Sequence, residues 1–161
     1  MHRKKEFIQI IKQNEGIIYK ISKVYADDIE DQKDLYQEIV FQLWKSFDSF
    51  KGKSKFSTWM YRIALNTSIT YLNSQKRNSK QVSIDFELPN RVEENDGLMQ
   101  DRIDILYAHI KELSIIEKGL ILLFLEGKSY DEIANITGFT NTNVGTRLTR
   151  IKQKLKNQIL N

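Results

Sequence analysis

A chain of 161 residues with a single proline can be interrupted in few places, and here the proline falls where everything else changes too. Pro89 lies in residues 81–98, a segment without apolar periodicity that holds one basic residue against five acidic ones. On both sides of it, apolar residues recur at helical spacing. This predicts an all-α protein of two small helical domains, residues 1–80 and 99–161, joined by a flexible acidic linker over 81–98. Both flanks are basic, with 15 Lys/Arg against 9 Asp/Glu before the linker and 9 against 7 after it. Two basic blocks separated by an acidic connector suit two nucleic-acid contacts on one chain.

In the first block, Phe7, Ile8, Ile10 and Ile11 mark a helix over 3–13. Gly16 is expected to break or bend the chain before a second helix, 17–26, carrying Ile17, Ile18, Ile21 and Val24. Asp27 and Asp28 stand where a third helix, 29–47, would be capped. In that helix Leu35, Ile39 and Leu43 recur every four residues, widened by Val40, Trp44 and Phe47. Asp34, Gln37 and Glu38 share a polar face beside the stripe. Such a face is either the solvated side of an ordinary amphipathic helix or a docking surface for another protein.

Residues 49–84 contain no Asp or Glu, yet hold Lys51, Lys53, Lys55, Arg62, Lys76, Arg77 and Lys80. Gly52 reads as a turn residue, and Ser54 as the N-cap of a helix from Phe56 to about Asn78. Phe56, Met60, Ile63, Ala64, Thr67 and Tyr71 are expected on its buried side, with Arg62, Asn66, Asn73 and Arg77 opposite. Trp59 and Tyr61 flank the boundary, where a ring could reach a base. Cations for phosphates and flat rings for unpaired bases suit single-stranded nucleic acid. A solvated helix whose rings are simply core has the same composition, so this stretch alone leaves both readings open.

The second block is more specific. Ile103, Leu106, Ile110 and Leu113 give one helix, and Ser114 with Glu117 forms a Ser-x-x-Glu capping box for the next, which carries Ile116, Leu120, Leu123 and Phe124. Gly127 ends that helix, and Ser129 with Glu132 opens a short one holding Ile133, Ala134 and Ile136. Gly138 makes a turn, Phe139 is expected in the core, and Thr140 caps a last helix with Val144, Leu148, Ile151 and Leu155 inward. A small residue at 134 with a turn glycine four positions on is helix-turn-helix grammar. The outward positions Thr140, Asn141, Thr142, Asn143, Thr146, Arg147 and Arg150 are small, polar or basic, as insertion into a DNA major groove requires.

Several function classes lack their residues. There is no Cys, so disulfides and thiolate metal sites are excluded, and His2 and His109 are the only histidines. His109, among Ile105, Leu106, Ile110 and Leu113, reads as a partly buried structural residue. No glycine-rich phosphate loop occurs, and no paired carboxylates sit in an apolar context. No apolar run approaches the roughly 20 residues a bilayer crossing needs, and the basic first residues lack the apolar stretch of a signal peptide. A soluble, cytoplasmic, non-enzymatic protein without metal, cofactor or small-molecule substrate is expected.

Taken together, the two blocks resemble sigma factors of the sigma-70 family, in their short extracytoplasmic function (ECF) subgroup. Residues 34–38 (Asp-Leu-Tyr-Gln-Glu), followed by Val40, Phe41, Leu43 and Trp44, resemble the region 2 segment that docks on the clamp helices of the polymerase β′ subunit. Residues 50–66 resemble the region 2 loop and helix that read and open the −10 promoter element. Residues 113–155, with Gly127 to Ala134 and Val144 to Leu148, resemble the −35-reading module of region 4.

The resemblance implies core polymerase contacts through Asp34, Leu35, Gln37, Glu38, Phe41 and Trp44, with the β subunit as a further partner. It implies −10 contacts through Lys51, Lys53, Lys55, Trp59, Arg62, Asn66, Asn73 and Arg77, and −35 contacts through the outward residues 140–143, 146, 147 and 150 named above. An anti-sigma partner, holding the protein at the inner membrane, is also expected. Two positions depart from the family pattern: Thr137 stands where Leu is usual before the turn glycine, and Gly145 where Lys is frequent. A helix-turn-helix regulator working without polymerase is the alternative function.

Overall fold

The computed structural model describes residues 2–50, 55–74 and 97–160, and these are helical with short turns. Helices α1 (His2–Tyr25), α2 (Ile29–Ser46) and α3 (Phe56–Asn73) form one compact unit. Helices α4 (Gly97–Lys111), α5 (Ile115–Leu125), α6 (Tyr130–Thr137) and α7 (Asn141–Leu160) form a second.

The first unit departs from expectation at Gly16, where α1 runs through without a break. Its buried residues Phe7, Ile11, Ile18, Ile21, Val24 and Tyr25 make one stripe that continues across the glycine, Ile11 and Ile18 lying two turns apart. Glycine in a helix interior costs about 1 kcal/mol against alanine. Burying each large apolar side chain contributes about 1.5–3 kcal/mol, so packing on both sides of Gly16 outweighs the local preference. Ser22 is buried within this stripe, and its hydroxyl donates to the Ile18 carbonyl at 2.8 Å.

Helix α2 starts as expected. The Asp28 carboxylate accepts the Asp31 N–H at 2.8 Å, and Glu30 and Asp31 add negative charge at the positive end of the helix. Leu35, Tyr36, Ile39, Val40 and Leu43 are its buried face, and a 3₁₀ turn at Phe47–Ser49 closes it. Lys55, not Ser54, occupies the N-cap position of α3, without a side-chain cap bond; Ser54 lies outside the described residues.

The buried face of α3 is also rotated from the expected one. Thr58, Met60, Tyr61, Ala64, Leu65 and Ser68 are buried, while Phe56 and Tyr71 are only half-buried. Tyr61, at 1% exposure, is a core ring and cannot reach a base. The reason is that α3 packs against both α1 and α2, and the placement of those two helices, not the apolar period of α3 alone, selects the side that is covered.

In the second unit α5 is the central helix. Its consecutive residues Gly119 to Leu123 are all buried, and it packs against α4, α6 and α7. A helix apolar all round needs neighbours on every side. Both capping boxes form: the Ser114 and Ser129 hydroxyls accept the N–H groups of Glu117 (3.2 Å) and Glu132 (3.1 Å), whose carboxylates accept back from the serine N–H groups. Ile116, expected inside, is 47% exposed, one turn short of the packed part of α5. His109 is half-buried, as expected, with Nδ1 lacking a hydrogen-bond partner among the described residues. Among the described residues no helix is long and apolar enough to cross a membrane.

Candidate functional site

The candidate −35 surface begins at the turn between α6 and α7. Gly138 sits at φ +86°, a left-handed conformation that other residues resist, and its N–H donates to the Ala134 carbonyl at 2.8 Å. Thr137, the first departure from the family pattern, is not a loose end. Its hydroxyl donates to the Ile133 carbonyl at 2.7 Å and accepts the Phe139 N–H at 3.4 Å, which stitches the turn from inside. Phe139, expected in the core, is only half-buried. Thr140 Oγ1 accepts the Asn143 N–H at 3.1 Å, capping α7 as expected.

From this cap α7 buries Val144, Leu148, Ile151 and Leu155 and leaves Asn141, Thr142, Asn143, Thr146 and Arg150 exposed. Arg147 is half-buried, with its guanidinium 4.6 Å from the centroid of the Phe139 ring and its Nε donating to Asn143 Oδ1 at 2.7 Å. Asn141 donates to Asp131 of α6, tying the two helices at the edge of this surface. Asn143, Thr146, Arg147 and Arg150 line one shallow groove of about 320 Å³ against the start of α5. Farther along, Lys154 stands 3.5 Å from Glu117 on the same side of α7 as Arg147 and Arg150, and Lys152, on the other flank, stands 3.8 Å from the Phe124 ring. The sequence reading did not single out these two lysines, because the partners that hold them lie on α5. Residues 141–160 contain no Asp or Glu.

In the first unit, Arg62, Asn66 and Asn73 are exposed along α3, with Thr70 among them, as their separations implied. Lys55 is exposed at the helix start. Trp59 is half-buried and packs on Phe47, Phe50 and Phe56 at centroid distances of 6.4, 5.1 and 5.4 Å. The expected −10 residues Lys51, Lys53 and Arg77 lie outside the described residues.

On α2, Asp34, Gln37, Glu38 and Phe41 are half-buried, and Glu38 accepts a hydrogen bond from the Gln42 amide at 3.0 Å. Partial burial, then the charges of Asp31, Glu30 and Asp28, raise the Asp34 carboxyl above its ordinary pKa. Trp44 is half-buried against Phe7 (5.0 Å), with Arg3 above its ring at 5.5 Å. Leu35 has no exposed surface, so its side chain supports α2 from the core and presents nothing to a partner.

Comparison with known proteins gives both units the same kin. The sequence model of Sigma-70 region 2 matches residues 10–78, and that of Sigma-70, region 4 matches residues 103–155. An ECF RNA polymerase sigma-E factor of Haemophilus influenzae is 31% identical, over 80% of this chain and 75% of that protein. The protein of the same name from Escherichia coli is also 31% identical, over 80% of this chain and 74% of its own. The chain belongs to the ECF sigma factors of the sigma-70 family.

Solved structures carry the same fold at lower identity. The sigma factor RpoE, in complex with the anti-sigma factor NepR from Bartonella quintana, is 20% identical with a TM-score of 0.73, covering 96% of this chain and 97% of that one. CnrH, in complex with the cytosolic domain of CnrY, is 16% identical with a TM-score of 0.69, covering 97% of this chain and 88% of that one.

Within this sigma factor the second departure, Gly145, also has a structural setting. A Cβ at position 145 would meet the Tyr130 ring at 3.3 and 3.5 Å. Gly145 therefore faces α6, where it permits a close approach. The sequence could not show this, because the ring it meets is fifteen positions away.

Proposed function

We propose that this sigma factor binds core RNA polymerase and promoter DNA through three surfaces built on its two helical units. Residues 1–80 act as region 2 and 99–161 as region 4, with 81–98 as the tether. The polar side of α2, with Asp34, Gln37, Glu38, Phe41 and Trp44, docks on the β′ clamp helices, Leu35 holding that helix from within; the β subunit is a further contact. The acid-free outer ridge of α7 supports duplex −35 recognition through Thr140, Asn141, Thr142, Asn143, Thr146, Arg147 and Arg150. That ridge is the observation that carries the reading, because a major groove accepts a helix whose outward residues are small, polar or cationic.

The exposed row Arg62, Asn66 and Asn73, with Arg77, holds the displaced −10 strand, while Lys51, Lys53 and Lys55 capture a flipped base with Trp59 nearby. Extruding a base costs a few kcal/mol, so capture is coupled to polymerase and the free protein binds promoter DNA weakly. The protein has no catalytic activity of its own and works in the cytoplasm. The complex of one structural neighbour with the anti-sigma factor NepR supports a partner of that kind here, one that holds the chain at the inner membrane. DNA selected by core polymerase plus this protein, then used in run-off transcription with and without it, tests the proposal. Initiation that depends on the added chain is expected. No added initiation, or tight promoter binding by the chain alone, would refute it and favour a helix-turn-helix regulator.

A further inference from the structure

We propose that Arg147 is a preset phosphate clamp, positioned by Phe139 and Asn143, and that Arg150 beside it reads the base. The proposal rests on the −35 reading above and divides its labour. Phe139 belongs to the turn before α7, so a guanidinium 4.6 Å from its ring is folded back toward the helix start. The bond from Nε to Asn143 Oδ1 at 2.7 Å adds a second restraint and leaves only the Nη groups to donate outward. A side chain fixed at the flank in this way is half-buried and does not extend over the outer ridge. It offers a rigid pair of donors at the rim of the helix, where a phosphate oxygen would lie, with little left to lose in rotamer freedom. Arg150, nearly a turn further on, is exposed on the ridge beside Thr146. Long reach and an unfolded-back fork suit bidentate pairing with guanine O6 and N7.

Phosphate contacts set register and carry no sequence information, whereas base contacts carry little else. The two arginines therefore separate in one experiment. Holoenzyme formed from core polymerase and the full chain would be titrated with salt on a promoter library randomised across the upstream element. Arg147→Gln should weaken every sequence alike, leave base preference unchanged, and reduce the salt slope by about 0.9. Between 50 and 200 mM salt the wild type should then lose about 3.5-fold more affinity than the variant. Phe139→Leu, which keeps apolar volume but removes the ring, should act in the same direction, and Phe139→Tyr should restore the wild-type slope. Arg150→Gln should flatten preference at one base pair. Circular dichroism melting of each variant, which follows the second unit as well as the first, reads any partial unfolding separately. A changed preference at a single base pair in Arg147→Gln, or a wild-type salt slope in Phe139→Leu, would overturn the clamp. A wild type without preference anywhere in the upstream element would instead overturn the −35 reading on which it stands.

Discussion

Replacing Gly145 by alanine tests whether this glycine serves packing or is merely tolerated. Position 145 is the fifth residue of a 20-residue helix, so alanine should recover about 0.8–1 kcal/mol of helix propensity. Against this, the new Cβ would stand 3.3 Å from Tyr130 Cε2, a few tenths of an ångström too close. Tyr130 is half-buried and is the first residue of α6, so its ring can yield by rotation. A few tenths of an ångström at the ring edge needs only a few degrees of torsion, where a departure of about 30° costs about 0.5–1.5 kcal/mol. The gain wins, and Gly145→Ala should stabilise the second unit by about 0.5–1 kcal/mol. In a unit of this size each kcal/mol raises Tm by about 4–8 °C. Trp44 and Trp59 both belong to the first unit, so tryptophan fluorescence follows that unit, while circular dichroism follows both. The shift should appear in the dichroism transition and be at least as large in a Tyr130→Ala background. Destabilisation by Gly145→Ala would refute the reasoning, and its disappearance on removing Tyr130 would show that the ring cannot yield.

Three further outcomes follow from the caps and the titrating groups. Ser129→Ala removes half of the capping box from a helix of only eight residues and should cost about 1 kcal/mol in urea unfolding, whereas Ser129→Asp should retain most of it. The Ser114 N–H, then its hydroxyl and Lys154, lower the Glu117 carboxyl below its ordinary 4.5 despite partial burial. A depressed folded-state value adds stability above the unfolded value that is lost as pH falls through the folded one, so the urea midpoint should drop on acidification and Glu117→Gln should flatten that drop. Burial first, then Asp31 and Asp34, push the Tyr71 phenol from 10.0 up to about 12. The fold favours its neutral form, so stability should be lost as pH rises from 10 toward 12, and Tyr71→Phe should remove that loss along with the late ultraviolet ionisation step.

Most of the helix caps were legible in the sequence because each depends on neighbours within a few residues; the exception is α3, where Lys55 and not Ser54 holds the N-cap position. Asp28, Ser114, Ser129 and Thr140 all cap where the local pattern placed them, and Gly138 takes the positive φ that its position before α7 requires. Local logic failed where burial from elsewhere decided. Gly16 reads as a break, and only the packing of α1 on α2 and α3 carries the helix through it. Trp59 and Tyr61 look alike in a basic stretch, but the second lies in the three-helix core and the first in a ring cluster with Phe47, Phe50 and Phe56.

The division between sequence and structure is clearest on α7. The sequence by itself determined that its outer ridge is cationic and free of acid, because periodicity fixes which residues share a face of a helix. Tertiary structure alone decided what those residues lean on: Arg147 on Phe139, Asn141 on Asp131, Gly145 against Tyr130 and Lys154 beside Glu117. Three of these four partners belong to other helices and the fourth to the turn. A one-dimensional period carries the facing of a side chain, but the neighbour it meets is set by how the helices cross.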